Sequence, residues 1–230
     1  MFNFVWGIFF MLAHFGLFLL CYRFFGKKGL YAWIGFATVI ANIQVAKTIE
    51  MSIGTFGIVM TLGNTIYTSI YMSTDLLNEK FGQKAAKQAV WFGFFTLISS
   101  TILMQMTLGF VPQAEDFAHE PMKALFGFLP QVAAGSMCAY FVSQFLDVRV
   151  FSYLKKKFPV RNQFWIRING SSLVSQLVDS LVFCSIAFYK IHSFDIWIQI
   201  FLTTYLLKLL ISFLATPVLY WARNMKVSED

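Results

Sequence analysis

Stretches of about twenty apolar residues recur along this chain from end to end, and no other feature limits its fold so strongly. Seven are visible: Asn3–Tyr22, Leu30–Ala46, Ser52–Ser73, Ala89–Val111, Ala124–Leu146, Gly170–Tyr189 and Ile196–Tyr220. About twenty apolar residues in a helix cross the hydrocarbon core of a bilayer. Only helices and closed barrels satisfy every backbone group there, and these runs lack the period-2 alternation of barrel strands. The expected fold is therefore all-α, a polytopic transmembrane bundle of about seven spans. Composition agrees, because 58% of the 230 residues are hydrophobic and only 13% are charged. So little charge does not cover the surface of a soluble domain. No connection is long enough to suggest a second domain, so residues 1–230 are expected to form one integral membrane domain.

The basic residues set the expected orientation. Fourteen of the eighteen Lys and Arg fall after spans 1, 3, 5 and 7. They include Arg23, Lys27 and Lys28, then Lys80, Lys84 and Lys87, then the group from Arg149 to Arg167, then Arg223 and Lys226. The alternate connections hold only Lys47, Lys123 and Lys190. The positive-inside rule places the N-terminus outside and the C-terminus in the cytoplasm. The net charge of +7 is thus read as a topology signal and not as a nucleic-acid footprint. The first run lacks a basic leader and a small-residue cleavage site, so it is expected to be a retained span.

Several chemistries find no motif here. The three histidines, His14, His119 and His192, are far apart, and Cys21, Cys138 and Cys184 form no CxxC pair. HExxH, GxSxG and Walker A patterns are missing. No catalytic residue, metal or cofactor is expected.

The informative residues are polar groups in apolar surroundings. Asp179 and Lys208 lie mid-span in segments joined by a short connection, where an unpaired charge costs roughly 3 kcal/mol. They are expected to face the bundle interior, where they can pair. Ser172, Ser175, Gln176 and Asp179 recur at three- and four-residue spacing and share a helix face. Gln144 and Asp147 share another face. Asp75 and Glu79 share a third if helix continues there. Asp75 reads equally well as a helix cap, and Glu79 as a solvated charge pairing with Lys80 or Lys84. Asn42, Gln44 and Lys47 end the second span, with Lys47 placed to snorkel. Asn64, Tyr67 and Tyr71 form a polar-aromatic stripe. Amides, carboxylates and rings converging in one bundle suit a planar, uncharged, hydrogen-bonding ligand. A nucleobase fits, and so do several vitamins.

Four stretches carry a resemblance: Ala41 to Lys47, Thr74 to Gly82, Gln144 to Phe151, and Asp179 to Phe183, together with Lys208. They resemble the bacterial queuosine precursor transporter family, also called the vitamin uptake transporter family, over spans 2 to 7. The resemblance implies uptake of 7-cyano-7-deazaguanine, its aminomethyl relative or queuine across the inner membrane, feeding queuosine modification of tRNA. It implies that Asp75, Asp147 or Asp179 accepts hydrogen bonds from the guanine-like edge, with Asn42, Gln44 and Gln144 reading the rest. Some members have six spans, so the first span is expected to be an addition.

The leading expectation is a self-sufficient secondary transporter or facilitator, with Asp179 as a candidate proton-coupling group. The alternatives are a binding subunit that needs an ATPase partner, a carrier of another planar solute, and an intramembrane enzyme. A homodimer is the default assembly.

Overall fold

The computed structural model describes residues 2–53, 56–127, 130–187 and 193–227. Lys190 and His192 lie outside the described residues. In chain order the elements are α1 (Phe2–Gln44), β1 (Thr48–Ile53), β2 (Phe56–Thr61), α2 (Gly63–Leu108), α3 (His119–Phe126), α4 (Pro130–Lys157), α5 (Phe164–Ala187) and α6 (Phe194–Asn224). A 3₁₀ turn, Arg161–Gln163, precedes α5.

The helices α1 and α2 are 43 and 46 residues long. Straight helices of that length would run about 65 Å, twice the thickness of the hydrocarbon core. Neither is straight. Gly26 (φ 54°, ψ −135°) breaks α1, and Gly82 (φ 82°, ψ 169°) breaks α2. Backbone of that kind is open to glycine and strained for any residue with a Cβ. The two arms of α1 fold back on each other, because the rings of His14 and Trp33 lie 5.7 Å apart despite nineteen intervening steps of chain. In α2, Tyr140 touches Tyr67 of the first arm (6.4 Å) and Phe94 of the second (6.5 Å). Each long helix is thus a helical hairpin with a glycine at its tip.

Among the described residues, four helical stretches are long and apolar enough to cross a membrane: Phe2–Gln44, Gly63–Leu108, Arg161–Ala187 and Phe194–Asn224. The distribution of side chains is that of a protein solvated by lipid. Phe95, Trp6, Trp221 and Leu206 face outward, while Asp75, Asp147, Asp179 and Lys208 are buried. Polar groups within a bilayer face the bundle interior for the reason given above.

The structure corrects the expected boundaries in two places. The apolar run from Ser52 does not start as helix. It pairs as an antiparallel two-stranded hairpin, with Thr48 opposite Thr61 and Ile53 opposite Phe56, and helix begins only at Gly63. The run is rich in β-branched residues and carries Gly54 and Gly57, which favour strand and turn over helix. The run from Ala124 is divided as well. Ala124 to Phe126 close the short helix α3, and α4 starts at Pro130 and continues through Asp147 to Lys157. Proline is at home in a first helical turn, where its missing N–H is not needed.

Candidate functional site

Three helical pieces bring the buried polar residues together: the first arm of α2 (63–81), α4 and α5. Helix continues through Asp75 to the break at Gly82, so Asp75 is a mid-helix residue and not a cap. Serine and threonine hydroxyls along these helices mostly bond back to carbonyls of their own helix, as in Ser73 to Ser69 (2.9 Å) and Thr68 to Asn64 (3.0 Å). Such local bonds let a helix carry polar side chains inside a membrane bundle.

Three carboxylate environments follow, and they differ. In the first, Asp179 of α5 meets Lys208 of α6 at 2.5 Å. The same carboxylate accepts hydrogen bonds from Tyr67 Oη (3.0 Å) and Ser143 Oγ (2.9 Å). Tyr71 Oη donates in turn to Ser143 Oγ (2.9 Å), and the Lys208 ammonium lies 5.0 Å above the Tyr67 ring. The charge of Asp179 is therefore matched by a cation and two hydroxyls. The sequence left open whether Asp179 and Lys208 pair, and the structure pairs them.

In the second environment, Asp75 and Asp147 adjoin, their carboxyl groups within hydrogen-bonding reach of each other. Ser175 Oγ donates to Asp147 Oδ1 at 2.8 Å. Among the described residues no cation pairs with either carboxyl, since the buried ion pairs involve only Glu79 and Asp179. Apart from that mutual contact, Asp75 Oδ1 and Asp147 Oδ2 have no hydrogen-bond partner among the described residues. Neither does Gln144 Nε2, nor either amide atom of Gln176, nor the hydroxyls of Ser172 and Ser180. All six residues are buried. Buried polar groups are nearly always satisfied, and leaving one unpaired costs about 1–3 kcal/mol. Groups of this kind on α2, α4 and α5 leave donors and acceptors that could serve a hydrogen-bonding guest.

In the third, Glu79 receives Arg167 at 2.6 Å, Lys155 at 3.6 Å and Arg223 at 3.7 Å. This replaces the solvated pairing with Lys80 or Lys84 expected of Glu79. Lys155 also donates to the carbonyls of Asn78 (2.9 Å) and Glu79 (2.6 Å), and Arg167 to that of Phe158 (2.6 Å). Phe164 lies beneath both Arg167 and Arg223. The cluster ties the end of the first α2 arm to α4, α5 and α6.

For the remaining candidates the structure shows no side-chain contact with these clusters among the described residues. Asn42 donates to the Thr38 carbonyl of its own helix (2.8 Å), and Lys47 is exposed. Gln44 Oε1 is buried without a partner, and Asn64 is half-buried. Ser143 and Ser180 were not singled out by sequence. The available signal was their position directly before Gln144 and after Asp179.

Comparison with known proteins adds an independent line. Residues 61–222 match the family model described as "Putative vitamin uptake transporter". The chain is 47% identical over 230 residues to the "Probable queuosine precursor transporter" of Bacillus subtilis strain 168, covering 100% of this chain and 99% of that protein. It is 26% identical over 190 residues to the "Queuosine precursor transporter" of Escherichia coli K12, covering 80% and 81%. A "Probable queuosine precursor transporter" of Haemophilus influenzae is 26% identical over 181 residues, covering 76% and 73%. No solved structure matches.

Proposed function

The chain belongs to the vitamin uptake transporter family, and from that premise we propose that it carries queuosine precursors across a cell membrane as a secondary transporter or facilitator. The substrates in this reading are 7-cyano-7-deazaguanine, 7-aminomethyl-7-deazaguanine or queuine. Full-length similarity to a queuosine precursor transporter supports the substrate class. One structural observation supports a binding role: the unpartnered polar cluster of Asp75, Gln144, Asp147, Ser172, Gln176 and Ser180. A carboxylate facing the N1–H and exocyclic amine of a guanine-like base forms two charge-assisted hydrogen bonds. Glutamine amides, which donate and accept, complement the base oxygen and ring nitrogens. Tyr67 and Tyr71, with their rings 5.8 Å apart, stand on the same arm as Asp75 and offer aromatic faces. Gln44, Asn42, Asn64 and Lys47 are assigned to the approach to the site. Asp179 and Lys208 are assigned to its wall.

The finer topology is part of the same proposal. The chain forms one transport domain of seven spans, with the arms of α1 and of α2 counted singly and α4, α5 and α6 completing the set. The hairpin contacts of His14 with Trp33, and of Tyr140 with Tyr67 and Phe94, support this count. The bias of Lys and Arg supports an outer N-terminus and a cytoplasmic C-terminus in the inner membrane. The relatives' description as transporters supports transport without catalysis, and a homodimer is the assembly to test first.

The test uses bacteria that neither make nor import 7-deazaguanines. With the chain expressed and each compound supplied at nanomolar concentration, queuosine in tRNA is measured by mass spectrometry. Queuosine that depends on the chain establishes uptake, and the compound that works names the substrate. Uptake in cells that is lost when the purified chain is reconstituted alone points to an ATPase partner. No queuosine with any compound, despite verified membrane expression, overturns the substrate assignment.

A further inference from the structure

A second site of different chemistry lies on the lipid-facing side of the α1 hairpin. Between its two arms runs a groove of about 410 Å³ lined by apolar side chains, among them Leu17, Leu20, Phe24, Phe25, Trp33 and Phe36. Trp33 forms a buried floor, while Phe24 and Phe25 are about two-thirds exposed and form a rim. Eight residues separate Leu17 from Phe25, so the groove runs about 12 Å along the helix axis from the Gly26 tip.

The tip itself is cationic. Arg23, Lys27 and Lys28 are exposed and flank Phe24, Phe25 and Gly26 directly. Among the described residues no carboxylate pairs with any of the three, since the ion pairs present involve other cations. Lys27 rests 5.5 Å over the ring of Phe81, so this tip sits beside the Gly82 break of α2. Lys84, also exposed, follows that break and adds positive charge.

We propose that this groove with its cationic tip binds one anionic phospholipid, an acyl chain lying between the α1 arms and the phosphate held by Arg23, Lys27 and Lys28. Charge complementarity selects the occupant. A lipid-facing groove alone accepts any acyl chain, whereas three unpaired cations at one end prefer a negative headgroup. Each basic residue near an anionic membrane surface contributes about 1 kcal/mol, a factor of about five in affinity. The site is separate from the transport cluster, so its failure leaves the transport reading intact.

Native mass spectrometry of the full chain in detergent tests this, with phosphatidylglycerol and phosphatidylcholine of identical acyl chains supplied in equal amounts. Wild type is expected to retain one phosphatidylglycerol in preference. The variant Arg23→Gln/Lys27→Gln/Lys28→Gln is expected to lose that preference, by about fivefold for each cation removed. Ala32→Trp fills the exposed groove without touching charge and is expected to abolish retention of the single lipid. It keeps the test open if the triple variant does not fold. Equal retention of the two lipids by wild type, an undiminished preference in the triple variant, or retention unchanged by Ala32→Trp overturns the proposal. So does a lipid-free dimer that Ala32→Trp disrupts, because the groove then belongs to a second copy of the chain.

Discussion

Asp75 and Glu79 stand one helical turn apart on the same arm of α2, and their surroundings are opposites. Glu79 is ringed by Arg167, Lys155 and Arg223, so its charge is met several times over. Asp75 faces another carboxyl, Asp147, and among the described residues no cation pairs with it. The two sites bury similar groups at different cost. A charge surrounded by cations fixes the helices that supply them. A pair of unmatched carboxyls tightens nothing, and it persists where binding repays the strain. Under the proposed function, the contrast separates the part of the molecule that holds the bundle together from the part assigned to substrate.

The largest expected effect tests the first half of that contrast. Arg167→Ala leaves Glu79 without its closest cation and frees the carbonyl of Phe158, so a loss of about 3–5 kcal/mol is expected, as when a buried ion pair is broken from one side. Thermal unfolding in detergent reads this directly. A variant as stable as wild type that nevertheless loses uptake would move the Glu79 cluster into the transport machinery.

The Asp179–Lys208 pair lies between the two extremes. Lys208→Met strands Asp179 and should destabilise almost as much as Arg167→Ala. The double variant Asp179→Asn/Lys208→Met should recover most of that stability, because no buried charge remains. Recovery of stability together with uptake assigns the pair to architecture. Recovery of stability without uptake makes it a transport element.

For the unmatched pair the direction reverses. Asp147→Asn or Asp75→Asn removes one of two adjoining carboxylates and should leave unfolding unchanged or raise its midpoint. Ligand binding should weaken by about 1.5–3 kcal/mol, the worth of a hydrogen bond to a charged group. Uptake of labelled substrate beside an unfolding scan distinguishes the outcomes. A marked loss of stability in both variants would erase the contrast between Asp75 and Glu79.

Much of this arrangement is legible in the sequence. Ionisable residues in apolar runs have few options, so Asp179 and Lys208 read as interior residues, with their pairing left open. The spacing of Ser172, Ser175, Gln176 and Asp179 placed them on one face, which the bundle buries. Arg167 was not legible. It follows a basic connection and counts equally well as a cytoplasmic loop charge. Only the start of α5 at Phe164 places it inside, where it is 1% exposed. The hairpin of β1 and β2 was missed because a continuous apolar run has no period to distinguish strand from helix. The adjacency of Asp75 and Asp147 was out of reach, since helix faces can be read locally but their pairing is set by tertiary packing.

The smallest expected effect tests where the site ends. Lys47 closes the family-like stretch Ala41 to Lys47 and was a candidate for substrate contact, yet it is exposed and makes no ion pair among those formed by the described residues. Lys47→Gln should change stability by less than about 0.5 kcal/mol, as exposed substitutions usually do. Its effect on uptake should be well below that of Asp147→Asn. Gln44, three residues earlier, has a buried amide oxygen without a partner, so Gln44→Leu offers the internal comparison. If Lys47→Gln lowers uptake as far as Asp147→Asn while unfolding is unchanged, the binding surface extends from the carboxyl pair to the end of α1. In that case the contrast with Glu79 concerns a whole face of the bundle and not a single turn of helix.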